Sequence, residues 1–290
     1  MHTDTRALEN LPCEVVKTDI LNKSQLFPAL KNASAVIHSA AHISITGSNR
    51  EKVWKVNVEG TKNVIEATKA CGVERLIYIG SIHAFKDCGN SVDENSPLID
   101  GTGSIYDITK AEGVKTVRQA INDGLNAVIL CPTALIGPND FKPSFIGRFL
   151  ISLAKKRVPA LVNGGFDWVD ARDVAEAALS ALTKGNGTYI LSGKFLEVRS
   201  LAKLWCETAT VKCPDLVFSL EIAIIGAKAT LPIGRLLKFN PLFTPEALKA
   251  LTWKSKILRS KSEEELNFKP RPLEETLYDT YKWFREHGYL

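Results

Sequence analysis

Short apolar, β-prone runs separated by longer helical patterns constrain this chain more than any other feature. Residues 13–18, 35–39, 75–79 and 127–131 read as strands, with helices over 23–31, 51–71 and 104–122 between them. Strands that are apolar on both faces, each followed by a helix, predict a parallel sheet covered by helices on both sides. The fold class is therefore α/β, a doubly wound parallel sheet. Beyond Pro132 the pattern loosens. Residues 167–169 and 188–191 read as short strands around a helix at 171–182, and the last hundred residues are mostly helical. The chain closes in an amphipathic helix over 272–286.

Composition excludes several classes. With 290 residues, 45% hydrophobic and 24% charged, the chain has the makeup of an ordinary globular protein, one large domain or one with an appendage. The net charge of +5 is spread along the chain. Its densest basic run, Lys254 to Lys261, alternates with apolar residues and meets Glu263, Glu264 and Glu265, which reads as a solvated helix face rather than a nucleic-acid patch. No nucleic-acid partner is expected.

Six cysteines without a Cys-x-x-Cys pair give neither a zinc site nor a disulfide framework, so a cytoplasmic, reducing setting is expected. His38 and His42 are spaced to grip a metal, but they flank the end of a strand and no Glu follows His38, so no metal is expected. The chain opens without a signal-peptide pattern. Residues 216–239 are long enough to span a bilayer, yet they contain Glu221, Lys228, Arg235 and Lys238 together with a proline and glycines. A helix pair on the substrate side is expected there, not a membrane span.

Tyr-x-x-x-Lys occurs twice, at Tyr106/Lys110 and at Tyr278/Lys282. On a helix, residues four apart share a face, and an ammonium beside a phenol favours the phenolate. Lowering a phenol from about 10 to about 7 requires about 4 kcal/mol of differential stabilisation. Context separates the two pairs. Ligands in open α/β sheets bind outside the carboxyl ends of the strands. Ser81 directly follows the strand at 75–79 and Tyr106 opens the next helix, whereas Tyr278 and Lys282 sit beside Trp283 and Phe284 in the last helix. The first pair is the site candidate; the second reads as packing and surface. His83, two residues beyond Ser81, reads as an exposed loop histidine, with a substrate contact as the alternative.

At this point the chain resembles the extended short-chain dehydrogenase/reductase family within the NAD-dependent epimerase/dehydratase superfamily. It is most similar to dihydroflavonol reductase and 3β-hydroxysteroid dehydrogenase-like members. The resemblance rests on Val36-Ile37-His38-Ser39-Ala40-Ala41, Asn57-Val58-Glu59-Gly60-Thr61 and Tyr78-Ile79-Gly80-Ser81. It continues through Tyr106-Asp107-Ile108-Thr109-Lys110, Pro132-Thr133 with Gly137-Pro138, and Trp168-Val169-Asp170-Ala171-Arg172-Asp173-Val174. It implies a Rossmann-like dinucleotide-binding core over residues 1–135. Residues 136–290 would form a mixed region with late sheet strands and a mostly helical substrate-binding part.

The resemblance also implies roles. Tyr106 would donate a proton to the substrate oxygen as hydride arrives from the nicotinamide. Lys110 would lower the tyrosine pKa and hydrogen-bond the nicotinamide ribose. Ser81 would hold the carbonyl oxygen, and Asn57 would position a water that relays protons to Lys110. Asp19 and Ile20 resemble the adenine contact. Ala40 and Ala41 would let the backbone approach the cofactor, and Pro132 and Thr133 complete the cofactor set. The cofactor implied is NAD or NADP. The substrate implied is a small-molecule ketone or secondary alcohol.

A sugar-nucleotide epimerase uses the same pair and is the first alternative, with Arg148, Arg157, Arg199 and Arg235 available for a diphosphate. A non-catalytic binding or regulatory protein is the second. Such enzymes hold the cofactor pyrophosphate on a glycine-rich turn. The first glycine here is Gly47, and no Gly-x-Gly-x-x-Gly occurs. The first strand–helix–strand unit is accordingly expected to be absent, leaving residues 13–18 detached or beside a gap. The helices at 51–71 and 104–122 form the usual homodimer surface in relatives; an apolar stripe of Val114, Val117 and Ile121 is compatible with a homodimer contact there and equally with the core.

Overall fold

The computed structural model describes residues 5–9, 11–43, 49–236 and 244–290, with the backbone alone for 229–236. Helix α1 (Lys23–Leu30) precedes strand β1 (Ala35–His38). Helix α2 (Arg50–Trp54), a π-helical turn (Lys55–Glu59) and α3 (Gly60–Ala70) lead to β2 (Arg75–Ile79). A 3-10 turn (Ile82–Ala84) and β3 (Ser91–Val92) come before the long helix α4 (Ile105–Asn122). There follow β4 (Ala127–Pro132), β5 (Ala134–Ile136), α5 (Phe145–Ala154), β6 (Leu161–Val162) and β7 (Gly165–Asp170). Next come α6 (Ala171–Ser180), β8 (Gly187–Leu191), β9 (Lys194–Glu197), α7 (Val198–Thr208) and β10 (Val217–Phe218). The chain ends with α8 (Leu220–Leu236), α9 (Pro245–Ala250), β11 (Lys256–Ile257), α10 (Ser260–Leu266) and α11 (Leu273–Glu286).

The main sheet runs β1-β2-β4-β8 and is parallel throughout, with Ile37 beside Ile77, Ile77 beside Val128 and Ile129 beside Thr188. Successive strand residues point to opposite faces, and the core divides accordingly. Leu76, Tyr78 and Ile129 pack with Val64, Val114 and Val117 on one face. Ile77, Val128 and Leu130 pack with Val174, Ala178 and Tyr189 on the other. Both faces are covered, so β2 and β4 tolerate continuous apolar runs. The expected α/β class holds.

A second sheet, β5-β7-β9, is parallel between β5 and β7 and antiparallel between β7 and β9. The Trp168 to Val174 motif anchors it. Asp170 caps α6 and pairs with Arg172 at 2.7 Å, Arg172 reaches Asp279 on α11 at 2.7 Å, and Arg271 pairs with Asp173 at 2.6 Å. These ion pairs fasten the last helix to the sheet.

Three expectations need correction, and one left open is resolved. Residues 13–18 are not a strand: residues 11–17 are all exposed, and no strand pairs with this run among the described residues. Among the described residues β1 bonds only to β2, and Ile37 is 46% exposed. A run with no neighbouring strand has nowhere to place its backbone hydrogen bonds except in water. The helix expected over 51–71 is interrupted by the π-helical turn, where the Asn57 carbonyl accepts from Thr61 Oγ1 at 2.8 Å.

The stripe on α4 belongs to the core: Val114 and Val117 are fully buried, and Ile121 packs against the same cluster. A dimer through α4 would have to use other side chains. Finally, the described residues 216–236 give β10 and one helix rather than a helix pair; Lys238 lies outside the described residues, as does the side chain of Arg235.

Candidate active site

β2 ends at Ile79, and the chain turns at Gly80 and Ser81 into the 3-10 turn. Ser81 caps that turn, its hydroxyl accepting from the His83 N–H at 3.2 Å. Across from it, Ser104 and Asp107 form a reciprocal capping box at the start of α4, which satisfies two otherwise unpaired N–H groups. That box fixes Tyr106 in the first turn, over the end of β2. The Ser81 side chain lies near the Tyr106 phenol and favours its ionised form.

Lys110, one turn on, is buried, and its Nζ donates to the Ile79 carbonyl at 3.1 Å. It lies 5.9 Å from the centroid of the Tyr106 ring. Gly113, a further turn along, makes room for Tyr78: a Cβ there would stand 2.1 Å from the Tyr78 hydroxyl.

The electrostatics differ from the sequence expectation. Burial pushes the Tyr106 phenol up to about 12, with the Asp107 charge adding to it and the Ser81 side chain opposing it. Lys110 does not lower it here, because its ammonium is turned to Ile79 and is itself buried. Burial brings Lys110 down to about 8. His38, buried behind it with Nε2 3.0 Å from Thr61 Oγ1, falls to about 4 through burial first and the Lys110 charge second. It is a neutral packing histidine at pH 7. Among the described residues no group of three or more His, Cys, Asp or Glu side chains could hold a metal.

Lys110 yields a pH prediction. Its folded pKa of about 8 lies below the unfolded value of 10.5, so below pH 8 folding carries the full cost of burying an ammonium. Between these values the unfolded chain holds more protons, and stability rises with pH. Lys110→Met should therefore stabilise the fold by about 2–3 kcal/mol at pH 7. The gain should shrink toward zero near pH 10. Urea unfolding across that range measures it, and a pH-independent difference would contradict it.

Asn57 is buried and fully engaged. Its Oδ1 accepts from His42 N at 2.7 Å, and its Nδ2 donates to His42 O at 3.1 Å and Thr109 Oγ1 at 3.0 Å. The side chain clamps the backbone after β1 to α4, which leaves no amide hydrogen for the water relay expected of it. Ala40 and Ala41 are exposed at the end of β1. Pro132 ends β4, and Thr133 follows it with its hydroxyl committed to Asp167 at 2.7 Å. Asp19 caps its own turn, accepting from Leu21 N at 2.9 Å, while the carbonyl of Ile20 accepts from Asn63 on α3 at 3.0 Å. Thus Ser81, Tyr106, Lys110 and Asn57 gather at the end of β2, Ala40 and Ala41 lie at the neighbouring strand end on one side, and Pro132 and Thr133 on the other. Tyr278 is 60% exposed, so the second pair is surface.

One side chain has a larger place than its sequence reading as a loop histidine or substrate contact. His83 is half-buried, its Nδ1 3.1 Å from Asp107 Oδ1, its ring stacked on Phe166 and edge-on to Tyr106. It is the one titratable residue lining a cavity of about 210 Å³ whose other walls include Phe145, Phe149, Phe166, Trp168 and Leu248. Its position two residues after Ser81, with an acid next to Tyr106, was the available signal.

Fold and site define a doubly wound nucleotide-cofactor enzyme of the short-chain dehydrogenase/reductase type. Residues 2–191 match the family described as the NAD dependent epimerase/dehydratase family, and the chain belongs to it. A Synechocystis protein provisionally named dihydroflavonol 4-reductase is 29% identical over 98% of this chain and 85% of its own. Sterol demethylase protein B of Methylococcus capsulatus is 29% identical over 99% of this chain and 90% of its own. Among solved structures, gox2253 superposes with a TM-score of 0.82 at 30% identity, covering 98% of this chain and 88% of that one. A nucleoside-diphosphate-sugar epimerase from Pseudomonas aeruginosa gives 0.78 at 25% identity, covering 99% and 88%.

Proposed function

We propose that this chain is an NAD(P)-dependent oxidoreductase that interconverts a ketone and a secondary alcohol on a largely apolar substrate. One observation carries the reading: the Ser81–Tyr106 pair stands at a strand end beside His83, which walls a cavity otherwise lined by apolar side chains. Ser81 and Tyr106 would share the substrate oxygen, Ser81 orienting it and Tyr106 supplying or removing its proton. A phenol held near 12 is protonated at neutral pH, as an acid for carbonyl reduction must be. Lys110 holds positive charge behind the phenol below about pH 8. A bound nicotinamide would supply the redox chemistry.

The described residues fit that cofactor unevenly. The nicotinamide end matches Lys110, Pro132 and Thr133 at adjacent strand ends, and Ala40 and Ala41 leave open backbone at the end of β1. For the pyrophosphate, the described residues offer no glycine-rich turn after a first strand. The 290-residue chain is therefore expected to bind NADH and NADPH more weakly than about 100 μM, since the turn's backbone N–H groups are what neutralise the phosphates. Fluorescence titration with both cofactors measures this, and micromolar affinity would show the turn to be dispensable. Turnover of apolar cyclic ketones at saturating NADH or NADPH tests the activity itself.

The epimerase alternative draws less support. Arg148, Arg157 and Arg199 are exposed and none lines the cavity, so these three give this cavity no basic contact for a diphosphate.

A further inference from the structure

We propose that β10 and the first turns of α8 form a membrane-docking face that seats this protein on an anionic lipid bilayer. Leu216, Phe218, Ile222 and Ile225 are 54%, 40%, 56% and 69% exposed within ten residues of chain. Ile222 and Ile225 are three apart on α8 and so share a face, while Ala223, Ile224 and Ala227 turn inward onto the core. No helix among the described residues is long and apolar enough to cross a membrane, so this helix lies on a surface instead of spanning it. Exposed apolar side chains gathered in one short stretch mark an interaction site.

Charge selects the occupant. Lys155, Lys156 and Arg157 are exposed at the end of α5, and the Leu161 N–H donates to the Leu216 carbonyl at 2.8 Å. Arg157 is thus four residues, at most about 14 Å of chain, from a backbone bonded to the patch. Lys212 and Lys228 add cations in the flanking segments, against Asp215, which pairs with Lys212 at 2.9 Å, and Glu221. An apolar stripe with a basic rim is the pattern of a protein surface that inserts shallowly among anionic headgroups.

Continuity with the cavity points the same way. α8 packs on α9, and Ala247, Leu248, Ala250 and Leu251 from α9 and its end line the cavity. β10 pairs with β6, just beyond α5, which supplies Phe145, Ile146 and Phe149 to the same wall. Docking would bring an apolar substrate's reservoir to the elements that wall its pocket; that clause alone rests on the oxidoreductase reading.

The test is co-sedimentation of the 290-residue protein with phosphatidylcholine vesicles with and without phosphatidylglycerol, free of substrate and cofactor. Binding to the anionic vesicles is expected, weakened by salt, and reduced about tenfold or more in Ile222→Asp/Ile225→Asp. Lys155→Glu/Lys156→Glu/Arg157→Glu should lose the preference for phosphatidylglycerol. Circular dichroism checks that both variants fold. Absence of vesicle binding, or equal binding by the folded aspartate variant, overturns the proposal. So does gel filtration showing a dimer that those aspartates dissociate, which would give the face to a second copy. Because no turnover is read, the proposal can fail while the oxidoreductase reading stands, and the reverse.

Discussion

Tyr106→Phe is expected to lower kcat by about 10²–10⁴-fold in both reaction directions while leaving NAD(P)H affinity unchanged. The substitution keeps the ring that packs edge-on to His83 and removes only the hydroxyl near Ser81. Folding should be unaffected, so the loss reads chemistry. The two directions start from different protonation states. Reduction needs the phenol, which burial keeps protonated well above neutral pH; oxidation needs the phenolate, so its rate in the wild type should climb with pH. Steady-state rates at saturating cofactor, taken from pH 6 to 10, measure both. Wild-type turnover by Tyr106→Phe would remove the tyrosine from the proposed machinery. Loss of cofactor affinity with unchanged kcat would move it to the cofactor site.

Gly193→Ala should destabilise the fold by about 3 kcal/mol, the upper end of what forced overpacking typically costs, because the clash is against rigid backbone. Gly193 joins β8 to β9. A Cβ there would stand 1.9 Å from the Trp168 carbonyl oxygen and 2.9 Å from the Val169 Cα. Both are backbone atoms of β7, held by β5 on one side and β9 on the other, so neither can yield as a side chain would. The same residue donates its N–H to Asp167 Oδ1 at 2.7 Å, a carboxylate that also receives Thr133 and Ser192. Shifting Gly193 would strain that junction of the two sheets as well. Urea unfolding of the variant gives the number; a loss under about 0.5 kcal/mol would show that the connection relaxes freely.

Much of this fold was legible because parallel strands buried on both faces leave runs that composition alone exposes. β2, β4 and β8 were placed nearly to the residue, and Ser104 announced the start of α4 through its capping chemistry. Residues 13–18 misled because β-propensity describes a half-buried surface, and no neighbouring strand among the described residues provides one. The π-helical turn was hidden: nothing in Lys55-Val56-Asn57-Val58-Glu59 breaks a helical pattern, and its widening serves contacts to His42 and Thr109 from distant segments. The stripe on α4 was read without knowing which face met the sheet, an ambiguity that only the packing partner resolves. At the site, spacing gave Tyr106 and Lys110 but not the direction of the lysine, since that depends on the Ile79 carbonyl thirty-one residues away. His83 was undervalued because a loop residue's burial comes from Phe166, on a separate sheet.

The order β1-β2-β4-β8 has a consequence for how the molecule is made. Each strand of the main sheet joins the edge left by the strand before it, so position in the sheet follows position in time during synthesis. No later strand has to be inserted between two already paired. On a ribosome delivering about 5–20 residues per second, β1 and β2 can pair and wait for β4, and β4 for β8, without reopening a ladder. The helices that cover each new strand are already out or follow at once: α4 emerges before β4, and α6 before β8. α11, tied by Asp279 and by its packing on α7, joins after all four strands are out. Assembly of the main sheet is vectorial, one edge at a time.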